Sequence, residues 1–423
     1  MATTASSFSD TAYAFRAGKS ASYISSMAGL LSTTQYEPAT FAITRLCPRP
    51  DSERGTGSRY SWAHSAFAYN VPVAIQGGAP PFRFVLVSGP SGATLTAEAP
   101  AWNPNLYLWG RINWPSPSGT GTFKVRVYDQ DGNSAYFQWT CVTDNTKFRF
   151  LDPTGSDANN GILVADGGTG PWLTMNAWTG AATSETTYQN LICVYRAGTY
   201  NTAAGYGGIV NNSPNALIIN ENKPRAHIRY PGEVVTWNLD GGSISQGTGV
   251  GLGDLYLAIA TTGSPQVADP RLISNPSTTS RTVLDRLSFS GIVSGDITGG
   301  TDNNSCIEFS ANNTSHKYIA IIDTTWADLP RTSNGFSNVD MYAVEYGAVL
   351  GGQATNNNNY MGVWIKGPND KISVWGVDLW DETNQDAQPT GGTTSNKFHL
   401  QCASASNPSP FPNGRCCRFP VST

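Results

Sequence analysis

Short apolar segments follow one another along the second half of the chain at a spacing that favours a repeating architecture. Most full steps between their starts measure 20 to 28 residues, one measures 39, and steps of 11 and 12 residues fit two strands of one repeat. Spacings of this size are typical of solenoids, whose coils bury a continuous core by stacking. The segments begin near Leu191, Ala216, Leu255, Val283, Cys306, Tyr318, Met341, Met361, Ile372 and Lys397.

The residues between these segments favour strands and turns over helices. Gly, Thr, Ser and Asn contribute 44, 43, 40 and 33 of the 423 residues, while charged residues make up 13%, about half the usual ~25%. So few charges cannot build the solvated faces of many helices. Because 39% of the residues are hydrophobic, the chain can bury a core and disorder is not expected. At roughly 150 residues per domain, we expect two or three all-β domains.

Charge and hydropathy exclude several classes of partner. The formal net charge of −4 gives no basic surface for nucleic acid, and no apolar run approaches the ~18 to 20 residues of a membrane helix. The first residues lack the basic and apolar regions of a secretory signal, so we expect folding in a cytoplasm. Cysteines without paired spacing favour reduced thiols over a metal site or a disulfide framework, and we expect no cofactor and no metal. They are Cys47, Cys141, Cys193, Cys306, Cys402, Cys416 and Cys417.

Residues 1–65 show little strand alternation. Ile24, Met27 and Leu31 recur at helical spacing, so a short helix between Ala14 and Leu31 is one interpretation. A partly ordered arm that becomes fixed against a partner is the other.

Alternating strands begin near residue 66 and favour a small β-sandwich. Phe123, Val125 and Val127 alternate with polar residues, and Phe137 follows after the turn at 129–133. The segments 78–84, 110–112 and 119–132 resemble the bacterial Ig-like, cadherin-like modules. That resemblance covers residues 66–146 and implies a spacer or adhesion role. Asp129 and Asp131 would suit calcium by analogy with cadherins, but an Asp-Gly turn explains them as well and is favoured.

Three blocks in residues 150–235 resemble the opening coils of right-handed parallel β-helix proteins of the pectate-lyase-like superfamily. They are a Gly-Ser-Asp turn followed by Pro171 and Trp172, the turn Gly198-Thr199-Tyr200, and the turn Tyr230-Pro231-Gly232-Glu233. The resemblance implies a right-handed parallel β-helix over residues 147–423. The spacer between Gly161 and Pro171 is longer than in the family, which a surface loop tolerates.

Polysaccharide chemistry would need two carboxyl groups at one groove. Asp378, Asp381 and Glu382 form the densest acidic segment and are the candidate catalytic residues, and Asp323 or Glu345 could join them from neighbouring coils. The histidines form no recognisable triad, and the acidic blocks of polygalacturonases are missing. Surface carboxylates that only keep the protein soluble are the favoured alternative.

Aromatic residues in the last third are candidates for stacking on sugar rings, or they form the core of the solenoid. The first interpretation is preferred for Trp326 because residues 324–328 look like a loop. The candidates are Trp326, Tyr360, Trp364, Trp375 and Trp380.

A β-helix without an export signal resembles bacteriophage tailspike-type proteins. We therefore expect a virion spike, fibre or decoration protein, assembled in the host cytoplasm as a homotrimer. Its arm would bind other virion proteins, its Ig-like module would act as a spacer, and its β-helix would contact host-surface polysaccharide. The alternatives are a polysaccharide lyase or glycosidase, and a bacterial surface adhesin.

Overall fold

A computed structural model describes the chain from residue 43 onward with gaps, and every structural statement below refers to that part. The described ranges are 43–48, 59–101, 103–173, 191–201, 216–219, 226–238, 243–246, 251–253, 256–258, 273–275, 283–290, 305–309, 316–327, 337–341, 344–355, 363–365, 372–377 and 400–402. The helix considered between Ala14 and Leu31 lies outside these ranges. Strands dominate them, which confirms the all-β prediction, and the only helical elements described are 3-10 turns at Arg59–Ser61, Asn145–Lys147 and Val164–Asp166.

The first eight strands form two four-stranded sheets. In chain order they are β1 (Thr44–Cys47), β2 (Trp62–Ala63), β3 (Tyr69–Gln76), β4 (Arg83–Ser88), β5 (Thr94–Glu98), β6 (Trp109–Trp114), β7 (Thr120–Tyr128) and β8 (Ser134–Thr143). One sheet has the order β1-β3-β6-β5 and is antiparallel; the other has the order β2-β8-β7-β4 and is antiparallel except for the β2–β8 pair. Strands β1 and β2 fall within residues 1–65, so this unit begins before residue 66.

The predicted alternation explains why these two sheets pack together. In β7 the side chains of Phe123, Val125 and Val127 are fully buried, while the residues between them are exposed or half-buried. Phe123 stacks between Tyr69 and Trp139, at ring-centroid distances of 5.5 and 5.1 Å. Trp139 Nε1 donates to the Tyr69 hydroxyl at 3.1 Å, so this buried polar atom has a partner. We refer to these eight strands as the sandwich.

The remaining strands form three parallel sheets, which the chain visits in turn. The first consists of β9 (Phe148–Leu151), β10 (Ile192–Tyr195), β13 (Ala226–Arg229), β16 (Gly251–Gly253), β19 (Val283–Asp285), β22 (His316–Ile322), β25 (Val344–Leu350) and β28 (Ile372–Trp375). The second consists of β11 (Gly198–Asn201), β14 (Val235–Asn238), β17 (Tyr256–Ala258), β20 (Ser288–Ser290), β23 (Thr325–Ala327) and β26 (Gln353–Thr355). The third consists of β12 (Ala216–Ile219), β15 (Ser243–Gln246), β18 (Ile273–Asn275), β21 (Ser305–Phe309), β24 (Ser337–Met341), β27 (Val363–Ile365) and β29 (Leu400–Cys402).

From β10 to β25, each strand of these sheets pairs in parallel with the third strand after it. Thus β10 pairs with β13, β11 with β14, and β12 with β15. Short bends connect the first sheet to the second: two residues separate β19 from β20, β22 from β23, and β25 from β26. In each bend the first residue has a positive φ, at Arg286 (54°), Asp323 (48°) and Gly351 (69°). Its backbone N–H donates to the last carbonyl of the neighbouring strand of the first sheet, for example from Asp323 to Leu350 at 2.8 Å.

The sandwich packs against one side of the first parallel sheet. Strands β1 and β3 contact β22 and β25, and the backbone N–H of Gly77 donates to Ser373 Oγ at 2.9 Å. Ala320, Ile322, Ala348 and Leu350 share a hydrophobic core with the sandwich. Alternate residues of the same strands, such as Ile321 and Val349, are fully buried on the opposite side. Because both sides are covered, β10 and β28 are buried throughout, as expected for continuous apolar strands.

Candidate functional site

The predicted acidic site lies outside the described residues. That holds for Asp378, Asp381 and Glu382, and also for Tyr360 and Trp380. Glu345 and Trp364 can be placed only by their strands, β25 and β27.

The expected exposure of Trp326 is wrong. Trp326 is the central residue of β23 and is fully buried, whereas its neighbour Thr325 is exposed. The bend of Asp323 and Thr324 is so short that the strand begins at Thr325, and strand alternation then turns the indole inward. Trp375 is also buried, at 3% exposure, in the core shared with the sandwich. Neither ring is available for a sugar to stack on.

Five charged side chains lie instead where the sandwich meets the first parallel sheet. We call them the junction cluster: Glu98, Arg111, Asp285, Arg286 and Asp323. Arg111 of β6 binds Asp285 of β19 through two hydrogen bonds, Nη1 to Oδ2 and Nη2 to Oδ1, both 2.9 Å long. Arg111 Nε donates to both carboxylate oxygens of Glu98, at 2.9 and 2.7 Å. Arg111 is 4% exposed and Asp285 is fully buried.

Burial and neighbouring charges act in opposite directions on the groups of the junction cluster. Burial lowers the pKa of Arg111, but Asp285 and Glu98 outweigh it and raise that pKa above its usual value, so the guanidinium stays charged. Burial raises the pKa of Asp323; the negative charges of Asp285 and Glu98 raise it further, and Arg286 and Arg111 oppose them. In the junction cluster, Arg111 therefore binds the carboxylates of Glu98 and Asp285. The third carboxylate, that of Asp323, binds a proton more readily than an exposed aspartate does.

A second polar pair, His64 and Asp166, lies next to β2 of the sandwich. His64 is buried between the rings of Phe67 and Phe148, with centroid distances of 4.9 and 5.1 Å. Its Nδ1 accepts a hydrogen bond from the backbone N–H of Ala66 (3.1 Å), so the ring proton is on Nε2, which lies 3.1 Å from Asp166 Oδ2. Burial lowers the pKa of His64, and Asp166 opposes that effect.

The turns that resemble β-helix openings are joined by one ion pair. Arg196 donates to the Glu233 carboxylate from Nε (2.8 Å) and Nη2 (2.6 Å), and the backbone N–H of Ala197 donates to the same carboxylate at 2.7 Å. The Tyr200 hydroxyl donates to the Leu151 carbonyl at 3.0 Å. Gly198 has a φ of 147°, and a Cβ there would lie 2.4 Å from Pro153 Cγ. These contacts join the segments that follow β9, β10 and β13.

The turn at 129–133 has a structural explanation. The Asp129 carboxylate accepts from the backbone N–H groups of Asn133 (2.7 Å) and Ala79 (3.2 Å) and from the Asn133 side chain (3.0 Å). Its oxygens therefore stabilise the Asp-Gly turn that the sequence favoured. No group of three His, Cys, Asp or Glu side chains that could hold a metal ion occurs among the residues described. Cys47, Cys141 and Cys193 are buried cysteines outside any disulfide, and burial raises the pKa of Cys141 and Cys193 well above the usual range.

A cavity of about 180 Å³ lies between the sandwich and the first parallel sheet, next to the junction cluster. Sandwich residues that line it include Trp62, Phe67 and Asn70, and the opposite wall includes Arg229 and Arg286. Sequence reasoning missed this site, because residues of its two walls are far apart in the chain; Asn70 and Arg229, for example, are separated by 159 positions. We call it the junction cavity.

Comparison with protein-family models, with curated proteins and with solved structures finds no match to this chain. The part of the chain that the structure describes contains no helix long and apolar enough to cross a lipid bilayer.

Proposed function

We propose that this chain is a bacteriophage virion spike, fibre or decoration protein that contacts host-surface glycan, and that its three parallel sheets close into a right-handed β-helix. The observation that carries the proposal is the pairing of each strand from β10 to β25 with the third strand after it. That pairing stacks coils along one axis and gives a long surface of repeated strands. It agrees with the resemblance of residues 150–235 to the opening of such helices.

The junction cluster favours a fixed orientation of the sandwich relative to the parallel sheets. The Arg111–Asp285 pair fixes the sandwich to the stacked coils, with both groups removed from solvent. A spacer that holds its orientation suits a protein that presents a binding surface at a distance from a particle. In this proposal the homotrimer binds other virion proteins through the residues that precede β1.

The exposed row of the second sheet supports contact with hydroxyl-rich ligands. Thr199, Thr236, Ser288, Thr325 and Gln353 occupy one register row, with Tyr256 between Thr236 and Ser288, and all five are exposed or half-exposed. Adjacent strands lie ≈ 4.7–4.9 Å apart, so these hydroxyl and amide groups form a regular line without charge. Such groups can exchange hydrogen bonds with sugar hydroxyls.

Three measurements test this proposal. Mass spectrometry of virions purified from the source culture should detect the chain, and sedimentation of the purified protein should give three times the monomer mass. A glycan array of bacterial surface polysaccharides should show binding to at least one of them. Absence from virions together with a monomeric mass would overturn the proposal.

A polysaccharide lyase or glycosidase is the second candidate, and one observation favours it. Asp323 has a raised pKa beside two further carboxylates, which is the environment of a general acid. Incubation with capsule polysaccharide, with assays for reducing ends and unsaturated sugars, distinguishes the candidates. Release that is lost in Asp323→Asn or in Asp378→Ala would favour the enzyme and identify its acid.

A further inference from the structure

One sheet of the sandwich carries positive charge and no acid. In the sheet β2-β8-β7-β4, buried side chains alternate with exposed or half-buried ones, so one side faces the core and the other faces solvent. None of its four strands contains an aspartate or a glutamate. They contain three cations on the solvent side, Arg83, Lys124 and Arg126. The chain as a whole has a formal net charge of −4, so this surface has the opposite sign.

The three cations lie beside two tyrosines. Arg83 of β4 is the cross-strand partner of Tyr128, and Arg126 of β7 is the partner of Tyr136. The Cζ atoms of Arg83 and Arg126 lie 4.1 and 5.7 Å from the centroid of the Tyr128 ring. Tyr136 is 48% exposed. We call this surface the basic face: Arg83, Lys124, Arg126, Tyr128 and Tyr136.

The cations of the basic face have no carboxylate near them. Within the described ranges, Arg83, Lys124 and Arg126 form no ion pair. The acids that follow β7, Asp129 and Asp131, belong to the turn beyond the end of the sheet, and Asp129 is buried there on its backbone donors. Two guanidinium groups that approach one ring repel each other. An anion bound beside them would remove that repulsion.

The same sheet also exposes apolar and neutral polar groups. Six large hydrophobic side chains are exposed in the part of the chain that the structure describes, and three of them belong to β4 and β8: Val87 (53%), Tyr136 (48%) and Val142 (36%). Neutral hydrogen-bonding side chains are exposed on β7 and β8, namely Thr122, Ser134, Gln138 and Thr140. A surface that only kept the protein soluble would not need exposed apolar groups, whereas a binding surface combines them with charge.

We propose that the basic face binds an acidic polysaccharide, a polymer that contains uronate residues. This rests on the proposed function, and it gives the sandwich a part in glycan contact besides that of a spacer. Guanidinium groups bind carboxylates with paired, charge-assisted hydrogen bonds, and tyrosine rings accept the apolar face of a sugar. Hydroxyl and amide side chains exchange hydrogen bonds with sugar hydroxyls. Lys124 and Tyr128 are four residues apart on one strand, roughly 13 Å, so the open face suits an extended polymer rather than a single sugar.

Biolayer interferometry of the full chain tests the proposal with three polymers: polygalacturonate, dextran and single-stranded oligothymidylate. We expect polygalacturonate to bind at least about tenfold more tightly than dextran, because dextran has no carboxylate for the cations to bind. Added sodium chloride should weaken the binding of polygalacturonate, because salt screens exposed charges. Equal affinity for polygalacturonate and dextran would overturn the proposal. Tighter binding of oligothymidylate would also overturn it and would make the basic face a nucleic-acid site.

Substitutions locate the binding. Arg126→Gln should weaken polygalacturonate binding about threefold, and Arg83→Gln, Lys124→Gln and Arg126→Gln combined should weaken it about tenfold or more, because three exposed charge contacts are lost together. Lys147→Gln is the matched control for Arg126→Gln. The Lys147 ammonium also lies over an aromatic ring, 4.9 Å from the centroid of Trp62, but at the opposite edge of the sheet from Arg83.

The control separates position from net charge. Arg126→Gln and Lys147→Gln each remove one charge and one contact between a cation and a ring, so Lys147→Gln should bind as the parent does. Equal weakening in these two variants would show that only net charge matters and would overturn the assignment to the basic face. The comparison of polygalacturonate with dextran uses the parent chain alone and does not depend on the folding of any variant.

The glycan array distinguishes failure of this inference from failure of the proposed function. If the combined variant binds polygalacturonate and the array as the parent does, only the assignment to the basic face is wrong. If the parent binds neutral polysaccharides of the array but not polygalacturonate, the ligand class is wrong and the proposed function stands. If the parent binds no polysaccharide and is absent from virions, the proposed function itself is wrong.

Discussion

Arg111 of the sandwich and Asp285 of the first parallel sheet form a bidentate ion pair in which neither side chain is more than 4% exposed. They lie 174 residues apart in the chain. Glu98 binds the same guanidinium from the other side, and Trp109 Nε1 donates to Glu98 at 2.6 Å. The pair joins two parts of the fold through groups that no longer contact water, so its removal should destabilise both.

Arg111→Met should be among the most destabilising single substitutions in this chain. It removes the guanidinium that binds both Asp285 and Glu98, and breaking a buried pair in this way costs about 3–5 kcal/mol in the free energy of unfolding. Asp285→Asn should cost less, about 1–3 kcal/mol, because Glu98 still accompanies Arg111. Urea denaturation followed by tryptophan fluorescence measures the unfolding free energy of both variants. Arg83 is exposed, so the control Arg83→Met should unfold within about 1 kcal/mol of the parent. A larger loss for Asp285→Asn would contradict this order.

Gly351→Ala should destabilise the chain more than Gly232→Ala does. Both glycines have positive φ, 69° and 81°, so an alanine would strain the backbone to a similar extent at either position. A Cβ on Gly351 would lie 2.7 Å from the Trp109 ring, whereas a Cβ on Gly232 would have no heavy atom within 4 Å. The additional loss should be about 1–3 kcal/mol, as for other overpacked sites. Equal thermal unfolding midpoints for the two variants would mean that Trp109 moves aside without cost.

His64 should make the stability depend on pH below neutrality. Its pKa is lowered in the folded chain, so the unfolded chain binds the proton more readily and its stabilisation is lost as the pH falls below ~6.5. Urea midpoints at pH 7.5 and 5.5, compared between the parent and His64→Gln, isolate this group from the other histidines. The parent should lose more stability than the variant on acidification. The reverse result would show that Asp166 outweighs burial.

Trp326→Ala should lower stability and leave glycan binding unchanged. The side chain is fully buried, and truncating a buried tryptophan costs about 3–5 kcal/mol. Trp326→Phe should cost less, since Nε1 has no hydrogen-bond partner to lose. Calorimetric unfolding and the glycan array check the two halves of this prediction. If Trp326→Ala lost glycan binding but kept its stability, Trp326 would have to contact the glycan after all.

The sequence could predict those parts of the fold that rest on local alternation. Phe123, Val125 and Val127 are buried where period-2 patterning puts them, and Asp129 occupies an ordinary turn. Patterning failed at Trp326, because residues 324–328 look like a loop, whereas the bend consists only of Asp323 and Thr324. A positive φ at a non-glycine residue such as Asp323 leaves no sequence signal.

The junction could not have been predicted, because it depends on which distant elements meet. Glu98, Arg111 and Asp285 are unremarkable in their own strands, and a single acid in an alternating strand is expected to face solvent. Only the parallel register brings Gly251 beside Ala226 and Val283, and Gly253 beside Ile228 and Asp285. The catalytic prediction for Asp378, Asp381 and Glu382 rests on their proximity in sequence, which does not determine where side chains meet in the fold.

The two-residue bends between the first and second sheets constrain how this chain can vary. Gly351 packs against Trp109 and Gly376 against Leu108, so an insertion there would have to displace the sandwich. The segments leaving the second sheet range from 4 residues between β14 and β15 to 14 between β20 and β21. Relatives of this chain should therefore differ in length at those corners and keep a constant length beneath the sandwich. Insertions in the segments after the second sheet could therefore enlarge that surface without disturbing the packing of the sandwich on the first sheet.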